Sequence, residues 1–569
     1  YRVLSAVVTI AVAVIALRMR GPSPDDGVDY RITSAQAKSI AAHHLTSVTG
    51  QPLSSRVIAA PLDGFRNWDS GSPREDGGGP GGFDTVAANY LVRHGMTMQR
   101  LLTVFRERIE AATWTVRFFT PQQKIEKFVE VDPRTSTVIG YHKYQDERVP
   151  GPKLDQPAAQ AIAVRVFPQY GSDAGGFDLK EALAFEQPAR RDWLFHFQER
   201  RPLAAEAFRR ISVRVAGNEV TQFTTTVKIP DSVYRDEEKQ TLLSVVFTLI
   251  RIAGIVGVLA LIITGVIVAS RHGLLHWRRA ARWAAFFAIV PLAATAASWE
   301  LRLFSYNTSV QWQTFAVDQF IDVIRTVGLQ VGLFFLSVAA VDAAFPFALK
   351  LLSREGRARF GRAAIIAAAT ALALFTAARA AMALVVRYLP AFNSVVPVNA
   401  PDDVAIVLPG LVNLAQAAFA AVVLPAALSM FALAIGTLTR PSAGDPITDE
   451  ATQNLEQRRT GSRRTLLEAA ITIGSVFALT LNQHVTAHTA PALLARALVT
   501  GLVVWLVVHF VLRRNPLAVP VAVFALVVLQ HAAMLLQNHR PDLVVNALAE
   551  LLVLAAVMTW LAIPRSEHA

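Results

Sequence analysis

The feature that most constrains this fold is the succession of apolar segments in residues 241–563. A helix of about 20 predominantly apolar residues crosses the hydrocarbon core of a bilayer, so each such segment predicts one membrane span. Only 17% of the residues are charged, against about 25% in an ordinary soluble protein. We therefore predict a bundle of about nine transmembrane helices, at residues 243–270, 283–298, 320–346, 363–386, 404–438, 465–483, 492–512, 516–536 and 543–563.

A shorter apolar run near the start of the sequence, residues 3–17, is flanked by Arg2 on one side and by Arg18 and Arg20 on the other. Basic residues on both flanks and the lack of a small-x-small cleavage site favour a retained anchor over a cleaved signal peptide. We assign residues 1–19 to this anchor, which raises the expected number of spans to about ten. If the anchor begins inside, residues 20–240 lie outside and the tail 564–569 is cytoplasmic.

The net charge of +12 follows the predicted loops rather than a nucleic-acid-binding surface. Short cytoplasmic loops are enriched in Lys and Arg, and basic residues crowd every second loop here. These are Arg271, Arg278, Arg279 and Arg282; Lys350, Arg354, Arg357, Arg359 and Arg362; Arg440, Arg458, Arg459, Arg463 and Arg464; and Arg513 with Arg514. The intervening short loops hold only Arg302, Arg387 and Arg540. This alternation predicts a multi-pass protein of a bacterial inner membrane, with lipid and no nucleic acid as its partner.

Residues 20–240 have the composition of a soluble domain, and we divide them into modules at 20–150 and 151–240. Each module begins with a helical pattern, Ser34–Val48 and Pro157–Phe167, and continues into segments with period-two alternation. One strand face in each module is formed by Trp114, Val116 and Phe118, and by Trp193, Phe195 and Phe197. We therefore expect an extracytoplasmic α+β domain of two helix-plus-antiparallel-sheet modules, with a Gly/Pro-rich insertion at 69–82.

The segment Val129–Tyr141, VEVDPRTSTVIGY, resembles the end of PepSY-like modules, a strand–Asp-Pro-x-Thr-Gly–strand hairpin. Ser136 occupies the position of the glycine in that pattern. Two such modules followed by a membrane bundle resemble the N-terminal half of bacterial CPBP-family (CAAX-protease-like) membrane proteins, over about residues 30–345. The resemblance implies an intramembrane metalloprotease ancestry.

The protease motifs of that family are missing from the sequence. The Glu237–Glu238 pair lies outside the predicted spans and is followed four positions later by Leu242 rather than Arg. No Phe-x-x-x-His occurs, and His531 is followed four positions later by Leu535 rather than Asn or Asp.

The chain also has no cysteine, which excludes disulfides and thiolate metal sites. A relative of that family with this sequence is expected to be non-catalytic.

Ionisable groups inside a membrane span are costly and are therefore candidate functional residues. Glu550 lies seven residues into the last predicted span, and His531 enters the preceding span at a similar outer depth. We hypothesise that Glu550, His531, Arg496 and Asn546 form one membrane-embedded polar cluster. Its role could be a hydrogen-bonded structural clamp, a proton or ion relay, or a metal site.

A second polar pair is expected at the outer interface. Asp322 and Arg325 are spaced i,i+3 near the outer start of their helix, where they can form an ion pair.

The leading functional hypothesis is a non-catalytic multi-pass membrane protein, a scaffold or accessory subunit whose extracytoplasmic domain binds other protein subunits. Two alternatives stay open: a divergent CPBP-type intramembrane metalloprotease, and a transporter with a polar site near Glu550. The sequence requires no cofactor.

Overall fold

The computed structural model describes residues 28–49, 56–63, 85–109, 112–238, 242–344, 353–388, 402–438, 465–478, 490–512, 515 and 517–563. The predicted anchor 1–19, the insertion 69–82 and the tail 564–569 lie outside these residues. The described chain consists of an antiparallel sheet domain followed by a set of long apolar helices.

One eight-stranded sheet contains the strands of both predicted modules, in the order β1-β2-β3-β4-β8-β7-β6-β5. The strands are β1 Arg56–Asp63, β2 Ala112–Phe119, β3 Glu126–Val131, β4 Val138–Tyr144, β5 Phe177–Glu186, β6 Arg191–Glu199, β7 Phe208–Ala216 and β8 Glu219–Lys228. The modules meet where β4 pairs with β8, through Tyr141 opposite Phe223 and His142 opposite Gln222. They therefore form one continuous sheet rather than two separate ones.

The helices of this domain are α1 Ser34–Thr49, α2 Thr85–Arg93, α3 Met98–Glu107, α4 Gln156–Arg165 and α5 Asp231–Glu238. The core contains the alternating apolar residues of β2, and Trp114 is fully buried. The Trp114 indole packs edge-on against Tyr30 and donates a hydrogen bond to the carbonyl of Ile32 at 3.0 Å. The predicted apolar face of β2 is therefore buried, and its polar face, with Thr113, Thr115 and Arg117, is buried as well.

The turn between β3 and β4 is held by the Asp132 side chain. Its Oδ1 accepts from the backbone N–H of Arg134 at 2.7 Å, and its Oδ2 accepts from the Thr135 hydroxyl at 2.6 Å. Ser136 adopts a left-handed backbone, with φ of 63°, a region in which glycine is the most comfortable residue. The Asp-Pro-Arg-Thr-Ser segment therefore forms a tight hairpin turn.

The remaining helices are α6 Leu242–Arg271, α7 Trp277–Phe287, α8 Ile289–Ala297, α9 Trp299–Phe304, α10 Trp312–Ala344, α11 Arg354–Tyr388, α12 Pro409–Leu438, α13 Thr465–Ala478, α14 Ala490–Leu506, α15 Ala518–Gln537 and α16 Pro541–Ala562. Within the described residues, eight helical stretches are long and apolar enough to cross a membrane, with α7 and α8 together forming one of them. α13 is apolar but shorter. The chain therefore has the character of a polytopic membrane protein with a sheet domain.

The long apolar segment predicted at 404–438 is divided at its start. A 3₁₀ turn, Asp402–Ala405, precedes α12, which begins at Pro409 and continues past Pro425 to Leu438. Proline is well suited to the first turn of a helix, where its missing N–H leaves no hydrogen bond unmade. The segment is thus a short turn followed by one proline-containing span.

The sheet domain shares its hydrophobic core with the ends of α15 and α16. Val404, Ala532, Leu535, Leu543 and Ala547 belong to the same buried cluster as the core of the sheet. A second cluster joins the sheet to the α9–α10 connection, and its buried members are Ile58, Phe119, Tyr306 and Phe315. Three segments therefore lie against the sheet domain: α9 with the α9–α10 connection, at 299–312, and the loops at 402–408 and 538–540.

Candidate functional site: a buried carboxylate–imidazole pair

Glu550 of α16 is fully buried inside the helix bundle, where it contacts residues of α12 and α15. One of its oxygens, Oε1, forms a hydrogen bond with Nδ1 of His531 at 2.6 Å. The other, Oε2, accepts a hydrogen bond from Nδ2 of Asn413 at 2.9 Å. Both oxygens of the carboxyl group are therefore engaged, which offsets the high cost of burying it.

The first turn of α12 supports this arrangement. The backbone N–H of Gly410 has no partner within its own helix, and it donates to Oδ1 of Asn546 at 3.2 Å. A β-carbon on Gly410 would lie 3.0 Å from the Asn546 carbonyl oxygen and 3.2 Å from Oε1 of Glu550. Glycine at this position thus lets the end of α12 approach α16 closely enough for Asn413 to reach Glu550.

His531 lies between two carboxylates. Its Nε2 faces Oδ2 of Asp403 at 3.4 Å, but this nitrogen is buried and makes no hydrogen bond with the described residues. On the other side of the ring, one proton is shared between Nδ1 and Glu550, because either the imidazole N–H or the carboxylic acid O–H must donate. Asp403, His531 and Glu550 therefore form a series in which the imidazole ring lies between the two carboxylates.

This geometry does not form a metal centre among the described residues, where no group of three or more His, Asp or Glu side chains converges. The His531 ring separates the two carboxylates, so Asp403 and Glu550 cannot bind the same ion. The arrangement instead suits a hydrogen-bonded clamp between helices or the passage of a proton along the series.

The structure brings together three of the four residues that were expected to cluster. Glu550 and His531 are in contact, and Asn546 lies one turn away, where it caps α12. Arg496 lies on α14, where it is exposed; that helix packs against α6 through Ala497 and Phe247. The Arg496 side chain is not among the contacts described for Glu550.

The predicted pair Asp322 and Arg325 is in contact, and a third residue joins it. Arg325 Nη2 lies 2.5 Å from Oδ1 of Asp322, and Arg302 of α9 donates to Oδ2 at 2.8 Å. The carboxylate thus links two guanidinium groups and ties α9 to α10.

Sequence reasoning missed Asp403, Asn413 and Gly410. All three lie at or just before the start of the long 404–438 segment. The sequence shows two consecutive aspartates there, followed by a Pro-Gly pair and a single asparagine. Only the packing of α12 against α15 and α16 shows that they belong with Glu550.

An open cleft of about 870 Å³ lies beside this series. Its walls come from α8, α9, α10, the 402–406 turn and α12. Asp403 lines it, as do Asp402, Arg302, Gln330 and Gln416. The outer end of the carboxylate–imidazole series is therefore open to a space large enough for a small molecule.

Comparison with known proteins gives no relative: no family model, curated protein or solved structure matches the chain.

Proposed function

We propose that this chain is a multi-pass membrane scaffold or accessory subunit that holds its sheet domain against the membrane surface as a platform for a protein partner. The observation that carries this proposal is the shared core, in which Val404, Leu535 and Leu543 pack with the sheet domain. Domains joined by a small polar interface are expected to move relative to each other, whereas a hydrophobic interface fixes them. We infer that this hydrophobic contact holds the sheet domain in one position against the helices.

Polar contacts reinforce this attachment. Arg540 is buried, and its guanidinium donates to the carbonyls of Ile32 at 3.2 Å and Val404 at 2.7 Å, while Asp542 neutralises it at 2.7 Å. The Tyr30 backbone N–H donates to Asn538 Oδ1 at 2.8 Å. One guanidinium thus joins the sheet domain, the 402–405 turn and α16.

The orientation that we propose places both termini in the cytoplasm and the sheet domain outside the inner membrane of a bacterium. In support, the three loops that touch the sheet domain belong to the set poor in basic residues. At the opposite ends of the helices, Arg279 of α7 pairs with Asp342 of α10 at 3.0 Å, and Arg362 of α11 donates to the Ala562 carbonyl of α16 at 3.0 Å. Both contacts involve arginines that the positive-inside rule assigns to the cytoplasmic side in this orientation.

The resemblance to PepSY-like modules is part of the proposal, and the β3–β4 hairpin supports it. Asp132 binds the turn, and Ser136 takes the left-handed conformation for which that pattern has glycine.

The platform proposal can be tested by site-specific photo-crosslinking in cells of the native host. Leu183 is 44% exposed on β5, the outermost strand of the sheet on the side away from the bundle, and free strand edges are common docking sites for other chains. A photoreactive residue at Leu183 should give one discrete protein adduct. The matched control is Ile263 of α6, which is 57% exposed and faces lipid in the proposed orientation. A native complex no larger than the chain itself, with no adduct from either position, would contradict the proposal.

The orientation can be tested separately because the chain contains no cysteine. Single Lys180→Cys and Arg282→Cys variants place a thiol at exposed positions on β5 and α7. A membrane-impermeant maleimide applied to intact spheroplasts should label the first variant and spare the second until the membrane is permeabilised. The reverse labelling pattern would show that the orientation is opposite to the one proposed.

The cleft favours a second candidate function, a transporter that couples movement of a solute to the Asp403–His531–Glu550 series. Its test is proton flux in proteoliposomes with an imposed pH gradient. The wild-type chain should collapse the gradient faster than Glu550→Gln does. Equal rates in both, matching protein-free vesicles, would exclude proton coupling.

A further inference from the structure

One exposed face of the span formed by α7 and α8 changes from basic to apolar along its length. Five exposed residues recur on this face at intervals of three or four, which is the spacing of one side of a helix. They are Arg278, Arg282, Ala285, Ile289 and Leu292, and we call this surface the arginine stripe. The opposite face packs on α10, where Phe287 stacks on Phe334 with ring centroids 4.0 Å apart. The stripe is therefore the side of the span that the rest of the bundle leaves open.

The two arginines of the stripe carry charge that the described residues do not neutralise. On the inner side of α7, the buried Asp342 of α10 is contacted by Arg279 at 3.0 Å and by His276 at 3.1 Å. Arg278 and Arg282, in contrast, form no ion pair or hydrogen bond within the described part of the chain. They are spaced i,i+4, which places their β-carbons about 6 Å apart. Both guanidinium groups can therefore bind the oxygens of one phosphate.

Two tryptophans on α7 indicate how deep in the membrane these arginines lie. Trp277 and Trp283 are 42% and 45% exposed, and they lie on either side of the arginines around the helix. Exposed tryptophan is enriched at the boundary between membrane and water, where its ring lies at the level of the lipid headgroups. Arg278 and Arg282 therefore lie at the depth of the lipid phosphates.

Beyond the arginines, the stripe is apolar over the thickness of one leaflet. Leu292 comes ten positions after Arg282, which corresponds to about 15 Å at the rise of an α-helix. A hydrocarbon core of about 30 Å gives each leaflet about the same 15 Å. Phe286, beside the stripe, is 74% exposed and adds to the apolar surface. An acyl chain can therefore lie along this face while its phosphate contacts the arginines.

We propose that the arginine stripe binds one anionic phospholipid, with the phosphate between Arg278 and Arg282 and an acyl chain along Ile289 and Leu292. Charge complementarity favours an anionic lipid, because a zwitterionic lipid also brings a cationic group towards the two guanidinium groups. A water-soluble polyanion would contact the arginines but leave the apolar part of the stripe uncovered. This inference goes beyond the proposed function, and it depends neither on a partner protein nor on the orientation of the chain.

The absence of cysteine allows a single fluorophore to be attached to the stripe itself. The full chain with labelled Ala285→Cys is reconstituted in phosphatidylcholine bilayers that contain phosphatidylglycerol with a nitroxide quencher on its acyl chain. Nitroxide-labelled phosphatidylcholine at the same mole fraction is the reference lipid. Labelled Leu259→Cys, at a 52% exposed position in an uncharged part of α6, is the matched control site.

Phosphatidylglycerol should occupy the stripe about tenfold more tightly than phosphatidylcholine, as two arginines in the headgroup layer provide. The label at Ala285 should therefore be quenched more strongly by the anionic lipid, and the label at Leu259 equally by both lipids. Equal quenching by the two lipids at Ala285, or the same preference at Leu259, would overturn the proposal.

The residue test combines Arg278→Gln and Arg282→Gln with the label at Ala285. Both arginines are exposed, so the fold should be retained, and the tenfold preference for phosphatidylglycerol should be lost. The matched control combines Arg148→Gln and Arg201→Gln, which remove two exposed arginines of the sheet domain and should leave the preference unchanged. A preference that survives in the Arg278→Gln/Arg282→Gln variant, or that is lost equally in the control, would refute the assignment.

Discussion

His531 and Glu550 join α15 to α16 through a hydrogen bond of 2.6 Å between Nδ1 and Oε1. The two helices are consecutive in the chain, and they are joined only by the short Asn538–Arg540 connection. The same connection contacts the sheet domain, so the buried pair and the domain interface share one pair of helices.

Removal of one member of this pair should be strongly destabilising. His531→Leu leaves the Glu550 carboxyl without its main partner, and breaking a buried pair typically costs about 3–5 kcal/mol. We expect a clear fall in the thermal unfolding midpoint of the detergent-solubilised chain. The double variant His531→Leu/Glu550→Leu should recover much of that loss, because no buried polar group is then orphaned. Arg496→Ala is the control and should leave the midpoint unchanged; equal midpoints for His531→Leu and wild type would rule out a structural role.

Arg540→Ala should loosen the sheet domain from the bundle. The substitution removes the donors to Ile32 and Val404 and leaves both carbonyls in a buried interface without their partner. Amide hydrogen exchange should accelerate at residues 30–33 and 402–406, while the interior of β6 and β7 keeps its protection. Arg148→Ala, on an exposed loop of the sheet domain, is the matched control. Unchanged exchange at 402–406 in Arg540→Ala would argue against this residue as the link.

Two glycines on α6 offer a matched test of helix packing. A β-carbon at Gly265 would lie 2.3 Å from the carbonyl oxygen of Met430 on α12, whereas one at Gly257 meets nothing within 4 Å. Gly265→Ala should therefore force α6 and α12 apart and cost about 1–3 kcal/mol, as overpacking does. Gly257→Ala should be neutral or slightly stabilising. The measurement is the thermal unfolding midpoint of each variant in the same detergent. Equal midpoints would show that α6 and α12 do not pack at Gly265.

The sheet domain should lose stability on acidification because of His142. Removal from water, with a further contribution from the nearby Arg214, lowers the pKa of His142 to about 3. The histidine of an unfolded chain has a pKa of about 6.5. Below pH 6.5 the unfolded state therefore binds a proton at this histidine and the folded state does not. The free energy of unfolding falls as the pH falls from 6.5 towards 3.

The check is a comparison of urea unfolding, followed by circular dichroism, at pH 7.5 and pH 5. His142→Gln should show a smaller loss of stability between these pH values than the wild type. His43→Gln, on an exposed position of α1, should behave like the wild type. An unchanged pH dependence in His142→Gln would mean that other groups control the acid sensitivity.

Hydrophobic periodicity predicts the strands that have one apolar face, and it fails where tertiary pairing overrides local preference. β2 is evident from the alternation of Trp114, Val116 and Phe118. β5, in contrast, reads FDLKEALAFE, a sequence rich in helix-forming residues, and it becomes a strand because it pairs along its length with β6. β1 contains Pro61, which is acceptable because β1 lies at an edge of the sheet.

The sequence predicts how far along their helices the site residues lie, but it does not predict which residues of other helices contact them. Hydropathy gives the position of Glu550 and His531 along their helices, and therefore their similar distance from the connection between α15 and α16. It does not give which helices touch. Arg496 was grouped with Glu550 for its depth but lies on α14, whereas Asp403 and Asn413 come from a different part of the chain and complete the site.

The continuous sheet has a mechanical consequence. β1, at one edge, lies against the 402–405 turn and the α9–α10 connection, while β5 is the far edge, and the two halves are joined by the two residue pairs of β4 and β8. The domain is thus a cantilever, anchored at one edge and free at the other. A pull that a partner exerts on β5 reaches the membrane helices through these residue pairs and also through the hydrophobic core that the two halves share, so both halves of the domain carry such a load together.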